Sequence, residues 1–213
     1  VNIRAAQIDD APTAAELILE TMEGYGEVML GLDNRARAVK VIAGFFKKDN
    51  NRFSYRLTYL AEVGDRTAGL LLVFPGRDTF KLALPMSWQI LSFYNPWELL
   101  RLAVRAPMAA DGEETRPDEF YVSHLAVLPE FRRQGVGRAL LGHADALGRA
   151  CGLAKCSLCV DIDNPNAQQL YLSQGYQIVK TVNTPWLKNR LHTRGYHRMI
   201  KPLPLDPKRS SLF

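Results

Sequence analysis

Apolar positions recur along this chain at two spacings, about 3.6 residues for helices and two for strands, and the switches between them mark out its elements. Ile3 to Gln7 reads as a short strand. Asp9 and Asp10 then offer capping carboxylates to a helix that has Pro12 in its first turn and continues through Leu17, Ile18 and Met22. A second helix is predicted from about Arg35 to Lys47, with Val39, Ile42, Ala43 and Phe46 on one face. Thr58 to Val63 and Thr67 to Phe74 are apolar, β-branched-rich runs joined by Gly64-Asp65-Arg66, the pattern of a hairpin with a tight turn, and Pro75-Gly76 closes it.

The next strong strand begins only near Phe120, and the stretch 76–119 is too long for a structureless loop inside a compact domain. A folded, helical insertion is expected there. Asn95-Pro96-Trp97-Glu98 supplies a cap, a proline at the first helical position and a glutamate that can reach back, so a helix is predicted from there to about Arg105. Glu98, Arg101 and Arg105 share its polar face. A shorter apolar helix between Pro85 and Tyr94 precedes it. This aromatic-rich pair is expected to pack into the core, with a lid over a binding site or a homodimer surface as the other roles open to it. From Phe120 the order is strand (to Val127), glycine-rich turn, helix (Gly135 to Ala150), strand (Lys155 to Val160), helix (Pro165 to Ser173) and strand (Tyr176 to Val182). Such alternation indicates an α/β sheet with parallel character. Arg194 to Lys201 reads as a last strand, and 202–213 as a proline-rich tail, which leaves one domain over 1–201.

With 213 residues, 47% hydrophobic and 23% charged, the chain can bury a sizeable core. A net charge of +5 would suit a polyanion, but the basic residues are spread out and not interleaved with aromatics in one tract, so no nucleic-acid partner is expected. The three cysteines, Cys151, Cys156 and Cys159, are read as reduced thiols of a cytoplasmic protein. Cys156-x-x-Cys159 lies in a strand, where residues three apart face opposite ways, so buried small side chains are expected and not a metal or redox pair. Asp161 and Asp163 are too few for a metal and read as caps for the helix from Pro165; no metal is expected. The N-terminus lacks the apolar run of a signal peptide. Phe80 to Ala109, the greasiest region, is broken by Lys81, Pro85, Gln89, Asn95, Pro96, Glu98 and Arg101, and so falls short of the roughly 18 apolar residues of a membrane span.

The stretch that carries chemistry is Leu125-Ala126-Val127-Leu128-Pro129-Glu130-Phe131-Arg132-Arg133-Gln134-Gly135-Val136-Gly137-Arg138. A buried strand enters a turn that opens a helix, whose free N–H groups and dipole suit a pyrophosphate, with glycines letting the backbone come close. Arg132-x-x-Gly135-x-Gly137 after Leu125-Ala126-Val127 resembles the signature of the GCN5-related N-acetyltransferase (GNAT) superfamily. Asn164-Pro165-Asn166-Ala167-Gln168-Gln169-Leu170-Tyr171 followed by Gly175-Tyr176 is similar to that family's second motif. The resemblance covers most of the chain, with 76–119 outside the shared core.

It implies a mixed, mostly antiparallel central sheet flanked by helices, and an acetyl-CoA-dependent N-acyltransferase. Its acceptor would be an amine on a small molecule, peptide or protein. The backbone of Leu125 and Val127 would pair with the pantetheine arm, with Ala126 between them in the same donor-binding segment, and the loop Arg132, Arg133, Gln134, Gly135, Val136, Gly137 and Arg138 would hold the pyrophosphate. Asn164 would touch the donor from the other side. The amide of Leu125 would polarise the thioester carbonyl, and Tyr171 would be the general acid. The base is open. The face expected to be shared by positions 121, 123 and 125 offers only Tyr121 and Ser123, and strict alternation turns His124 away as a core histidine unless a bulge intervenes. Asp118, Glu119 or a base acting through water are further candidates, and His192, Tyr196 and His197 lie by the last strand without assigned roles. The alternative to an enzyme is a domain that binds or senses acetyl-CoA without using it.

Overall fold

The computed structural model describes residues 1–105, 114–184 and 193–204. In chain order its elements are β1 (Asn2–Ala5), α1 (Ala11–Glu20), α2 (Tyr25–Met29), α3 (Arg35–Phe46), β2 (Thr58–Val63), β3 (Arg66–Pro75), α4 (Thr79–Gln89) and α5 (Pro96–Arg105). They continue as β4 (Phe120–Val127), α6 (Val136–Ala150), β5 (Lys155–Asp161), α7 (Pro165–Ser173), β6 (Gln177–Asn183) and β7 (Gly195–Pro202). His192 and the tail from 205 lie outside the described residues. The strands form one sheet in the order β1-β2-β3-β4-β5-β7-β6. Among the described residues β4 and β5 are the only parallel neighbours. The sheet is therefore mixed and mostly antiparallel. The parallel character read from the βαβ alternation is confined to one pair, because β7 inserts antiparallel between β5 and β6.

Apolar clusters cover both faces of the sheet. Leu17, Ile18, Ile42, Phe45 and Phe46 of α1 and α3 pack with Leu70, Leu72 and Phe74 of β3 on one face. Val136, Leu140, Leu141 and Ala144 of α6 pack with Leu71 and Val73 on the other, so β3 sends alternate residues to the two layers as a pleated strand must. Full burial contributes about 1.5–3 kcal/mol for each large side chain.

β4 breaks that alternation. Leu72 is paired with His124 but Val73 with Val122, which leaves Ser123 as the extra residue of a β-bulge. Before it, Phe120 and Val122 face α6 while Tyr121 faces α1 and α3; after it, Ala126 joins the layer of Tyr121, and Leu125 and Val127 face α6. The expected common face of 121, 123 and 125 does not exist: one extra residue moves Leu125 to the opposite layer.

Three local expectations are corrected. Neither aspartate caps α1 through its side chain, because the Asp10 carboxylate is bound by Arg4 at 2.8 Å and by the amide of Gln7 at 2.7 Å. In α3 the fully buried face is Ala38, Val41, Ile42, Phe45 and Phe46, with Val39 and Ala43 only partly covered. The first inserted helix starts at Thr79, not after Pro85, and carries that proline inside it. Pro85 deprives the Lys81 carbonyl of its helical donor, a loss that water can make good at an exposed position.

The capping box read from Asn95 and Glu98 is present, with the Glu98 amide donating to Asn95 Oδ1 at 3.0 Å and the Asn95 amide to Glu98 Oε2 at 2.9 Å. The expected core packing of this helix pair holds on one side only: Tyr94 is buried in the α1–α3 cluster and Phe93 packs on Phe45. No residue of α4 or α5 is buried. Leu82, Met86, Leu99 and Leu102 rest on the α1–α3 cluster, while the largest apolar side chains point to solvent. Among the described residues no helix is long and apolar enough to cross a membrane.

Candidate active site

At the end of β4 the chain turns through Pro129–Phe131 into a loop pinned at two points. Arg132 Nε donates to the carbonyl of Val127 at 3.1 Å, and Gln134 Nε2 to that of Glu130 at 2.8 Å. Gly135, in left-handed conformation at φ 83°, is the N-cap of α6 and offers no side-chain cap. The amides of Val136, Gly137 and Arg138 therefore have no helical acceptor and sit at the positive end of the helix dipole. A Cβ built on Gly135 meets nothing within 4 Å, so glycine is required there by its φ and the space before the helix is open. Gly137 is small for another reason: its Cβ would lie 3.0 Å from Leu170 of α7. Arg132, Arg133 and Arg138 are exposed around this opening. Their charge and the uncapped amides fit a pyrophosphate.

Beside it the sheet opens. The β4–β5 ladder pairs Phe120 with Cys156, Tyr121 with Ser157 and Val122 with Leu158, then stops, although β4 runs on to Val127 and β5 to Asp161. Beyond Val122, the edge of β4 towards β5 has no strand partner among the described residues. It can take an extended ligand as an added strand. The split begins at the Ser123 bulge, which interrupts pairing and bends the strand. α7 follows β5, and Asn164 caps it by accepting from the Ala167 amide at 3.1 Å. Asp161 and Asp163 do not cap this helix. Asp161 Oδ1 accepts from the Asp163 amide, and Asp163 is paired with Arg194. Tyr171, one helical face on, is buried with its ring centroid 6.0 Å from that of Tyr176.

The motif residues thus meet at one opening made from β4, the first turn of α6 and α7. The family model described as the acetyltransferase (GNAT) family matches residues 39–176, more than half of the chain. The chain belongs to the GNAT family. Its fold is also that of an N-acetyltransferase from Staphylococcus aureus Mu50, with a TM-score of 0.70 at 23% identity over 94% of this chain and 100% of that one. A further acetyltransferase structure has a TM-score of 0.68 at 24% identity, covering 96% and 100% of the two chains. The curated GCN5-related N-acetyltransferase 4, chloroplastic, of Arabidopsis thaliana is 38% identical over 60 residues, which are 28% of this chain and 21% of that relative's length. The chain thus matches only about a fifth of that protein.

Within this GNAT site the structure adds a residue that sequence reading missed. Glu23 follows α1 in a turn, itself left-handed at φ 46°, and accepts from Asn164 Nδ2 at 3.2 Å. That contact joins two segments 141 residues apart at the mouth of the split sheet. Crowding by protein atoms, then a hydrogen bond and repulsion from Asp161, push the Glu23 carboxyl up to about 7, although the residue as a whole remains open to water. Its charge is felt at Tyr171, whose phenol is pushed up to about 12 by burial first and by Glu23 second. A sequence signal for Glu23 was thin: Met22-Glu23-Gly24 marks a helix end and nothing more.

The other candidates for a base have structural partners. Glu119 is sealed in the interior, gripped by Arg198 of β7 through both carboxylate oxygens at 2.5 and 2.6 Å. Asp118 pairs with Lys155 at 2.9 Å on the surface. The bulge turns His124 onto the α1–α3 layer, where Nδ1 lies 2.6 Å from Thr21 Oγ1 and the ring stacks on Phe53. Burial, then Arg52, pull that imidazole down to about 3, so it is neutral and weakly basic. His197 Nδ1 lies 2.9 Å from Thr181 Oγ1. Burial pushes the thiols of Cys156 and Cys159 up to about 12, which leaves both unreactive at neutral pH.

Proposed function

We propose that the chain is an N-acetyltransferase that moves an acetyl group from acetyl-CoA to a primary amine of a small molecule, peptide or protein. The observation that carries this is the unpaired edge of β4 lying next to the uncapped, arginine-rimmed start of α6. Together they suit a ligand with an extended amide-bearing arm joined to a pyrophosphate. When bound, acetyl-CoA supplies a thioester whose carbonyl carbon is open to a neutral amine.

The residues divide the work as follows. The backbone of Leu125 and Val127 pairs with the arm, and the amide of Leu125 donates to the carbonyl oxygen as negative charge develops there. Amides from Arg133 to Arg138, with the cations of Arg132, Arg133 and Arg138, hold the phosphates. Glu23 takes a proton from the acceptor ammonium, freeing the nitrogen lone pair for attack. With its carboxyl near 7, about half is ionised at neutral pH, a good match for a general base. Ser123 is no base and leaves the proton to Glu23. Tyr171 stays protonated at any physiological pH and donates to the sulfur as the C–S bond breaks. Asn164 holds Glu23 at the cleft while capping α7.

Release of free thiol from acetyl-CoA with a panel of amines tests the reading, and calorimetry with coenzyme A tests the site separately. Binding without thiol release for any amine supports the alternative, a sensing domain; no binding removes both. Tyr171→Phe should keep the KM for acetyl-CoA and lower kcat by about 10²-fold or more. In the parent protein kcat should rise with pH through about 7 as Glu23 loses its proton. Glu23→Gln should erase that limb, and a limb unchanged in the variant would assign the proton to another group.

A further inference from the structure

α5 turns a mixed side inwards: Leu99 and Leu102 rest on the α1–α3 cluster, and Glu98 and Arg105 reach polar partners beside them. Glu98 binds Arg37 of α3 at 2.6 Å, and Arg105 binds Asp33 at 2.6 Å and the carbonyl of Val28. The outer side carries an apolar stripe: Trp97 is 78% and Val104 74% exposed, with Leu100 between them at one helical spacing. On α4, Phe80, Leu84 and Trp88 repeat the arrangement, with Leu91 in the turn just after it, and Phe80 and Trp88 are 75% and 72% exposed. Isolated apolar side chains on a surface need no explanation, but two successive helices each with an outward stripe mark an interaction face.

Charge decides what the face meets. An open depression of about 520 Å³ lies between α3 and α5 and is lined by Arg37, Lys40, Glu98 and Arg101 among others. Glu98 neutralises Arg37. Lys40 and Arg101 are exposed and have no ion-pair partner among the described residues, so the depression carries a net positive charge. In the turn just before α4, Arg77 is exposed as well. Two copies of this face brought together would set cations against cations, whereas a layer of lipid phosphates would neutralise them. Tryptophan and phenylalanine beside basic residues are suited to the headgroup zone of a bilayer, into which an amphipathic helix sinks roughly 5–10 Å.

We infer that the outer sides of α4 and α5 dock the protein onto an anionic lipid surface, with Trp88 of the first and Trp97 of the second entering the bilayer and Lys40 and Arg101 meeting headgroup phosphates. The protein's net charge of +5 adds long-range attraction to the same surface.

Flotation of the full chain with vesicles of phosphatidylcholine alone, and of phosphatidylcholine mixed with phosphatidylglycerol, tests it. The protein should float with the mixed vesicles only, and less so as salt rises. Lys40→Gln and Arg101→Gln should each lower partition about fivefold. The double variant Trp88→Ser/Trp97→Ser should stay in solution at an unchanged melting temperature, since neither side chain is packed. Absence from both vesicle types, or equal recovery with both, overturns the inference. So does a dimer in sedimentation equilibrium that the tryptophan variant dissolves, because a second copy would then cover the face.

Discussion

Two helices of this protein separate polar from apolar residues sharply and are seated differently. α6 buries Val136, Leu140, Leu141 and Ala144 against the sheet and leaves Arg138 and Arg149 outside. α5 turns Glu98 and Arg105 towards α2 and α3 and leaves Trp97, Leu100 and Val104 outside. Periodicity shows that a helix has two faces; its neighbours decide which of them is covered. For α6 the neighbour is a sheet with apolar residues to cover. For α5 it is a narrow apolar seat for Leu99 and Leu102 bordered by Arg37 and Asp33, which offer charge.

The sharpest way to separate the two regions is through ligand binding. Gly135→Glu would force a left-handed residue that costs about 1–2 kcal/mol and put a carboxylate where the phosphates belong. The melting-temperature rise given by coenzyme A should vanish. Arg101→Gln, on α5, should leave that rise intact. Loss of the rise in both would mean that α5 is part of the nucleotide site, and the division between the regions would fail.

The next effect separates polar groups turned inwards at the two places. Glu119 and Arg198 have side chains only 1% and 4% exposed, whereas Glu98 and Arg37 keep 20% and 32%. Glu119→Gln strands a buried guanidinium and should cost about 3–5 kcal/mol in urea unfolding. Glu98→Gln leaves a cation that water can reach and a side chain that still caps, so it should barely move the urea midpoint. Equal costs would show that the α5 pair is as sealed as the one in the sheet.

How much was legible follows the same division. From Phe120 onwards the strands and helices lie within a residue or two of their expected limits, because each glycine, proline and capping residue there acts on its own neighbours. The loop from Arg132 to Arg138 could be singled out since its glycines and arginines are contiguous. The Ser123 bulge was hidden: it arises from the fit of β4 to β3, and no residue type announces it. That one residue overturned the expected face of the central strand. Glu23 was hidden because its significance comes from Asn164 and Tyr171, far along the chain. Pro85 misled by its reputation as a breaker, which an exposed helix can accommodate.

The mildest substitutions bear on the comparison most directly. Leu140 is fully buried between α6 and the sheet, and Leu140→Ala should cost about 2–5 kcal/mol, the range for cavities in a packed core. Leu100 holds the corresponding apolar position on α5 but is 55% exposed, so Leu100→Ala should change stability by no more than about 0.5 kcal/mol. Both helices show the same chemistry in sequence, so only their seating can produce that difference. A cost at Leu100 approaching the one at Leu140 would mean that the stripe is already covered within the folded chain, and α5 would then be an ordinary core helix.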